Sequence, residues 1–405
     1  MNKNITSLTV NIDSCNDFEL NIERQNPLSY TVTYPIDAQI NTVVFIIAGF
    51  GADADSEYIK NLTTFVAETF SVAVVSVTYH CFYSRPAIGA EIGFDDIDIV
   101  VLEDILKQYQ VDLNGIELTR DNILNALNQA IIHKKATNQL QRNHKVILPM
   151  TLIPPNNEYQ NFGIMQALDH LYVLQDLKKR IPNLSKELKT VFFGSSHGGY
   201  IANLIAKLAP NQVDYVIENS TYVQPPLQYI VGKESDIFKP EFIATWSEHL
   251  ETNCFTQTVW TTNKNSPYFF SNDRYRIRNL MDEEHLQIMS DHSENKTHYI
   301  SYHSKYDGLV NVEEKIAYCK LLSEKEFPVK LHLIENKDQI DGKFIKNLDH
   351  AMGMSIKELI KKELPAILNE SIELKKNSEE KIVYPCDSQE YSIIINDDAI
   401  TCTCQ

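Results

Sequence analysis

The stretch TVFFGSSHGGYIANLIAKLAP, Thr190 to Pro210, constrains this chain most. β-Branched and aromatic residues, the make-up of a buried strand, run into Gly194-Ser195-Ser196-His197-Gly198-Gly199, and a helical pattern starts at once. A strand that turns directly into a helix brings the two so close that a Cβ at the crossing would clash. Glycine serves there, and Ala202 keeps the crossing small. The corner also fits G-x-S-x-G, in which the central serine stands at a strained turn with its Oγ exposed above the strand end. By register that serine is Ser196, and Ser195 points elsewhere. Unpaired N–H groups of the helix N-terminus lie beside the hydroxyl. Five residues with three fixed match often by chance, so the strand before and the helix after give the motif its weight. A plain strand-to-helix turn is the competing reading.

The flanking sequence repeats the strand–helix alternation. Val43–Ala48 and SVAVVSVTYH (71–80) are continuous apolar runs of the kind buried on both faces in parallel sheets. KTVFFG, VDYVIENS, HYISYHS and VKLHLIE read as further strands. Helical patterns fall at 56–69, 162–180, 311–326 and SIKELIKKELPAIL; within 162–180, Ile164, Leu168, Leu171 and Leu174 share one face. The class is therefore α/β, with a mostly parallel central sheet flanked by helices. SLTVNI, FELNIE and SYTVTYP precede it as short antiparallel strands. Residues 87–160 are mixed and mostly helical, too long for a loop, and predict an inserted helical cap. Residues 222–296, irregular and rich in aromatics and Pro, predict a second cap or lid. The expected organisation is 1–86 as N-terminal strands and first half of the core, 87–160 as cap, 161–221 as core with the elbow, 222–296 as second cap, 297–369 as core, and 370–405 as a tail or hairpin built on KIVYP and YSIIIN.

Charge narrows the partners. Asp and Glu number 54 against 37 Lys and Arg, a net charge of −17, which repels nucleic acid and anionic membranes. The N-terminal residues hold no apolar run of signal-peptide length, and no window approaches a membrane span, so a cytoplasmic location is expected. Seven scattered cysteines do not form a disulfide framework. The one close pair, Cys402 and Cys404, reads as part of a disordered end rather than a metal or redox pair.

A serine hydroxyl is a poor nucleophile without a base, and the base needs an acid to orient it. In strand–elbow–helix proteins the chain order is Ser, acid, His. ISYHSKYDGLVN places Asp307 just past a strand, and NLDHAMGMS places His350 between the last strand and the closing helix. Both fall where the C-terminal edge of a parallel sheet would bring them to Ser196. Asp307 as a helix or turn cap and His350 as a surface histidine are the competing readings. Asp338, Asp341 and Asp349 are rival acids. His80, His303 and His332 read as structural first, and the His197 side chain reads as unimportant beside its amide. The turn AGFGAD (48–53) is placed to pair the amide of Phe50 or Gly51 with that of His197 on a developing oxyanion. No metal or organic cofactor is implied.

With these residues in place, the chain resembles the α/β-hydrolase superfamily over roughly 40–365. The GSSHGGY elbow is similar to the esterase and prolyl-oligopeptidase-like branch. VVFIIAGFGADAD, YHCFYSRP, IPPNNEYQNFGIMQALDH, NSPYFF, ISYHSKYDG and NLDHAMGMS more closely resemble a family from flagellar motility and flagellin-glycosylation loci of Campylobacter-type bacteria. No part of the tail beyond about 370 carries that resemblance. The resemblance implies a serine hydrolase of esterase type, with an O- or N-acylated sugar as one candidate substrate entering between the two inserts. Tyr79, His80, Tyr83 and Arg85 of YHCFYSRP, and Asn219 with Ser220, are candidates to contact it, Arg85 through a sugar carboxylate. A peptidase or an acyltransferase would use the same residues. A non-catalytic motility accessory protein on this scaffold is the reading from another class.

Overall fold

The structure is a computed structural model and describes residues 4–50, 57–370 and 379–405. The chain divides into two units: Met1–Phe82, Phe162–Pro225 and Ser271–Gln405 form the first, and Tyr83–Asn161 with Pro226–Phe270 the second.

In the first unit, eight strands make one sheet: β1 (Ile5–Ile12), β2 (Leu28–Pro35), β3 (Ile40–Ile47), β4 (Ala73–Thr78), β5 (Leu184–Ser195), β6 (Tyr215–Asn219), β7 (His298–Ser304) and β8 (Val329–Ile334). Their order is β1-β2-β4-β3-β5-β6-β7-β8. β2 runs antiparallel to both neighbours, and every pair from β4 onward is parallel. The helices are α1 (Glu57–Phe70), α2 (Ile164–Arg180), α3 (His197–Leu208), α4 (Asn272–Arg278), α5 (Glu283–His292), α6 (Val312–Glu324) and α7 (Ile356–Asn369). This is the α/β-hydrolase fold. Val44, Phe45, Val191, Phe192, Phe193, Val216 and Ile217 of the central strands are fully buried, as their uninterrupted apolar runs require. Residues Ser195 and Asn219 stand in register, as do Asn219 and Tyr302, so β5, β6 and β7 end at one edge of the sheet.

Three expectations change. FELNIE forms no strand: the Asp17 carboxylate accepts from the amides of Glu19 and Leu20, so a side-chain-stabilised turn wins over pairing. In the tail, KIVYP and YSIIIN pair as the expected hairpin, β9 (Glu380–Pro385) and β10 (Glu390–Ile395), and the change is a third antiparallel strand, β11 (Ile400–Cys404). Cys402 and Cys404 therefore lie in a paired strand, not a disordered end. Alternating Ile382, Tyr384, Tyr391 and Ile393 are buried. Tyr384 Oη donates to Lys207 O, and Tyr391 Oη donates to Glu19 Oε1 at 2.8 Å. Glu19 in turn pairs with Arg278 at 2.8 Å, both side chains wholly buried.

The third change concerns the inserts. Both fold into one unit with its own four-stranded sheet, ordered Glu91–Gly93, Val146–Ile153, Leu250–Thr256, Phe242–Thr245. Helices Asp96–Tyr109 and Arg120–Ala136 bury Leu102, Leu124, Leu127 and Ile131 with Leu148, Met150, Leu152 and Cys254 of this sheet. The parallel pairing of Val146 with Leu250 spans the two inserts and leaves no local signature. Residues 271–292, expected in the second cap, instead supply α4 and α5 of the first unit.

Candidate active site

β5 carries the chain straight into α3 through Ser196, whose φ of 54° and ψ of −119° lie outside the comfortable range of an L-residue. Three glycines make this corner possible. A Cβ on Gly194 would stand 2.3 Å from Gly198 C, one on Gly198 2.2 Å from Ile47 O, and one on Gly199 1.9 Å from Thr221 Oγ1. Ser196 N donates to Asn219 O at 2.9 Å, tying the strained residue to the next strand.

Past β7, Asp307 Oδ1 accepts from the amides of Leu309 and Val310 at 2.9 and 3.0 Å. That turn aims the carboxylate at His350, whose Nδ1 lies 3.0 and 2.9 Å from its two oxygens. Burial works to raise the Asp307 pKa, but the hydrogen bond and charge of His350 and the two amides outweigh it, and the net shift is downward. With Nδ1–H donating to the carboxylate, His350 Nε2 accepts from Ser196 Oγ, 2.9 Å away. The Asp307 side chain is 0% exposed and that of His350 21%, so the base faces solvent while its acid does not.

The segment after His350 is itself unusual. Ala351, Met352 and Gly353 have φ of 61°, 55° and 58°. Ser220 Oγ accepts from Ala351 N at 2.9 Å, and Asn219 Nδ2 donates to Ala351 O at 3.4 Å. The rival acid Asp341 accepts from the amides of its own turn, Lys343 to Ile345. His303 is buried, and His332 stacks on Tyr302 at 4.2 Å.

On the other side of Ser196 the chain leaves β3 through Gly49, where a Cβ would lie 2.9 Å from Ser195 O and 3.9 Å from His197 N. The Phe50 ring stacks on the His197 imidazole with centroids 3.9 Å apart. Gly51 lies outside the described residues. A cavity of about 410 Å3 opens beside Ser196, His350 and Phe50, with Ile46, Ile47, Tyr58, Ile59 and Ile356 among its walls.

A family model described as "Protein of unknown function (DUF2920)" matches residues 8–403, tail included. The chain belongs to that family. No curated protein matches it in sequence. Among solved structures, this DUF2920 chain is similar to the esterase Est22 (10% identity, 90% of this chain and 78% of that one, TM-score 0.46). It is also similar to brefeldin A esterase, a bacterial homologue of human hormone-sensitive lipase (12%, 90% and 75%, 0.43). A third is the acylaminoacyl peptidase of Pyrococcus horikoshii (12%, 92% and 43%, 0.46). The chain spans 43% of that peptidase and 32% of a Bacteroides ovatus protein assigned as a dipeptidyl aminopeptidase IV, less than half the length of either.

Within the first unit of this DUF2920 member, Tyr79, His80 and Asn219 are not among the residues that line the cavity. Tyr79 is buried and its hydroxyl donates to Ala48 O at 2.9 Å, bracing the exit of β3. His80 is buried, with its amide donating to Asp169 Oδ2 at 2.7 Å. Asn219, expected against substrate, is completely buried and serves the Ala351 loop. Tyr83 and Arg85 belong to the second unit, where Arg85 donates to Thr256 Oγ1 at 2.9 Å and pairs with Glu241 at 3.0 Å. That pairing engages the charge expected to meet a sugar carboxylate. Among the described residues, no group of three or more His, Cys, Asp or Glu is arranged to hold a metal ion, and no helix is long and apolar enough to cross a membrane.

Sequence reasoning passed over the His197 side chain. It is fully buried, Nε2 donates to Gln166 Oε1 at 2.8 Å, and Nδ1 accepts from the Tyr222 hydroxyl. Gln166 Nε2 donates to His80 O at 3.1 Å, which fixes the oxygen toward the imidazole. A ring locked on both nitrogens is a rigid platform for Phe50. Its place next to the serine was the only signal in the sequence; Gln166 and Tyr222 gave none.

Proposed function

We propose that this chain is a serine hydrolase of esterase type, with Ser196 as nucleophile, His350 as general base and acid, and Asp307 as the group that orients His350. One observation carries the reading: the unbroken hydrogen-bond chain Asp307–His350–Ser196, 2.9 Å at each link. Ser196 Oγ attacks an acyl carbonyl as His350 Nε2 takes its proton. Asp307 holds the Nδ1–H tautomer and stabilises the imidazolium. The amides of His197 and of Phe50 or Gly51 receive the oxyanion, each donor contributing about 3–4 kcal/mol to the transition state. His350 then protonates the leaving group, and water, deprotonated by His350, releases the acyl group from Ser196. An acylated sugar as substrate rests on the sequence resemblance alone, with the sugar as leaving group.

The test is labelling by a fluorophosphonate and hydrolysis of p-nitrophenyl esters, in the intact protein beside Ser196→Ala and His350→Ala. Both variants should lose roughly 10^4- to 10^6-fold in kcat. Labelling that survives Ser196→Ala removes the nucleophile assignment. An intact protein that neither labels nor turns over esters favours the accessory-protein reading.

A further inference from the structure

The walls of the cavity beside Ser196 carry a message about the acyl group. Ile46 and Ile47 come from the end of β3, Tyr58 and Ile59 from the first turn of α1, and Ile356 from the first turn of α7. Three elements thus converge with branched aliphatic side chains on one side of the serine. Among the described residues of the wall, Tyr58 is the one titratable side chain apart from His350, and no Lys or Arg takes part. A charged acyl group would shed its hydration here and meet no counter-charge. The volume, about 410 Å3, far exceeds the need of an acetyl group and falls within the ~300–1,000 Å3 span of small-molecule sites.

We infer that this cavity is the acyl-binding site, and that it selects a neutral, apolar acyl chain longer than acetyl. The inference rests on the serine hydrolase reading and adds the substrate class. With the carbonyl carbon at Ser196 Oγ and its oxygen toward the Phe50 and His197 amides, the chain runs into the Ile47–Ile59–Ile356 side. The alcohol portion of the ester points away from it. Half-buried Ile356, at the start of α7, is the position where bulk changes the cavity with least disturbance of the core.

The experiment compares kcat/KM for p-nitrophenyl acetate, butyrate, hexanoate and octanoate, and for the anionic p-nitrophenyl hemisuccinate. Each added methylene should raise the rate roughly fourfold until the cavity is full. The hemisuccinate should run at least about tenfold slower than the butyrate. Ile356→Trp should depress octanoate at least tenfold relative to acetate, and Ile356→Ala should preserve the rise with chain length. A flat series, fastest turnover with acetate, a hemisuccinate as good as butyrate, or an unchanged octanoate-to-acetate ratio in a folded Ile356→Trp each overturns the inference. If Ile356→Trp does not fold, the wild-type series and Ile356→Ala decide alone. Fluorophosphonate labelling in parallel separates the two levels. Labelling at Ser196 with no chain-length preference sinks the acyl site and leaves the hydrolase; absence of labelling and of all turnover sinks both.

Discussion

The two sides of the reacting pair are held by different physics. Ser196 sits on strained backbone that glycines and close packing enforce: every added atom at Gly194, Gly198 or Gly199 would strike backbone or a neighbouring side chain within 2.4 Å. His350 precedes three residues of left-handed backbone, but polar contacts hold that segment: Ser220 and Asn219 on Ala351, and Asp307 on the imidazole. One side is fixed by shape, the other by hydrogen bonds and charge. Shape cannot be titrated and fails abruptly when violated, whereas hydrogen bonds fail one at a time. The serine side should therefore break through folding and the histidine side through rate.

The largest effect tests the first half of that contrast. Gly198→Ala places a Cβ 2.2 Å from Ile47 O, a rigid strand carbonyl, so something must shift. A loss of more than about 4 kcal/mol is expected, as for other severe backbone clashes. Gly353→Ala, on the histidine side, has φ 58° and meets Lys346 Cβ at 3.0 Å, a tight contact that needs a shift of only a few tenths of an ångström. Its cost should be about 1–2 kcal/mol. Urea denaturation of both variants measures the difference, and equal midpoints would remove the distinction between the two sides.

Asp307→Asn comes next. It keeps the shape of the turn but removes the charge that holds the imidazole tautomer, so kcat/KM should fall about 10^4-fold with a modest change in stability. The pH dependence has a definite sign. Because the folded-state pKa of Asp307 is depressed, its contribution to stability is present above the unfolded value, about 4, and is lost as pH falls through the folded value. Denaturation midpoints of wild type and Asp307→Asn should therefore converge on acidification below about pH 4. A gap that stays constant at low pH would show that the carboxylate charge does not stabilise the fold.

The same contrast explains what the sequence made legible. The elbow is local: strand, glycines, serine and helix are contiguous, and the steric reason for each glycine follows from that short stretch alone. Asp307 and His350 were recoverable as identities, since chain order and position after β7 and β8 constrain them. Their supports were not. Ser220 reaches Ala351 across 131 residues and Gln166 reaches His197 across 31, with nothing periodic to announce either. Asn219 and Tyr79 have the residue types of a binding site, yet burial turns both into braces. In the second unit the same limit operates on strands: Val146–Ile153 and Leu250–Thr256 pair in parallel with each residue 104 positions from its partner, beyond the reach of any window.

The smallest effect is the sharpest test of the histidine side. Ser220 has φ 53° and holds Ala351 N with its hydroxyl. Ser220→Ala leaves that amide without its acceptor, at a cost of about 1 kcal/mol, and lets the imidazole wander from Ser196. Ser220→Gly removes the hydroxyl equally but suits the left-handed backbone, so it should recover most of the lost stability. If the hydroxyl acts by positioning His350, both variants lose about tenfold in kcat and in fluorophosphonate labelling rate, a loss of about 1.4 kcal/mol in transition-state stabilisation, while KM stays near wild type. Rate that returns with stability in Ser220→Gly would mean that the serine only stabilises the fold, and the division between a side held by shape and a side held by polar contacts would no longer stand.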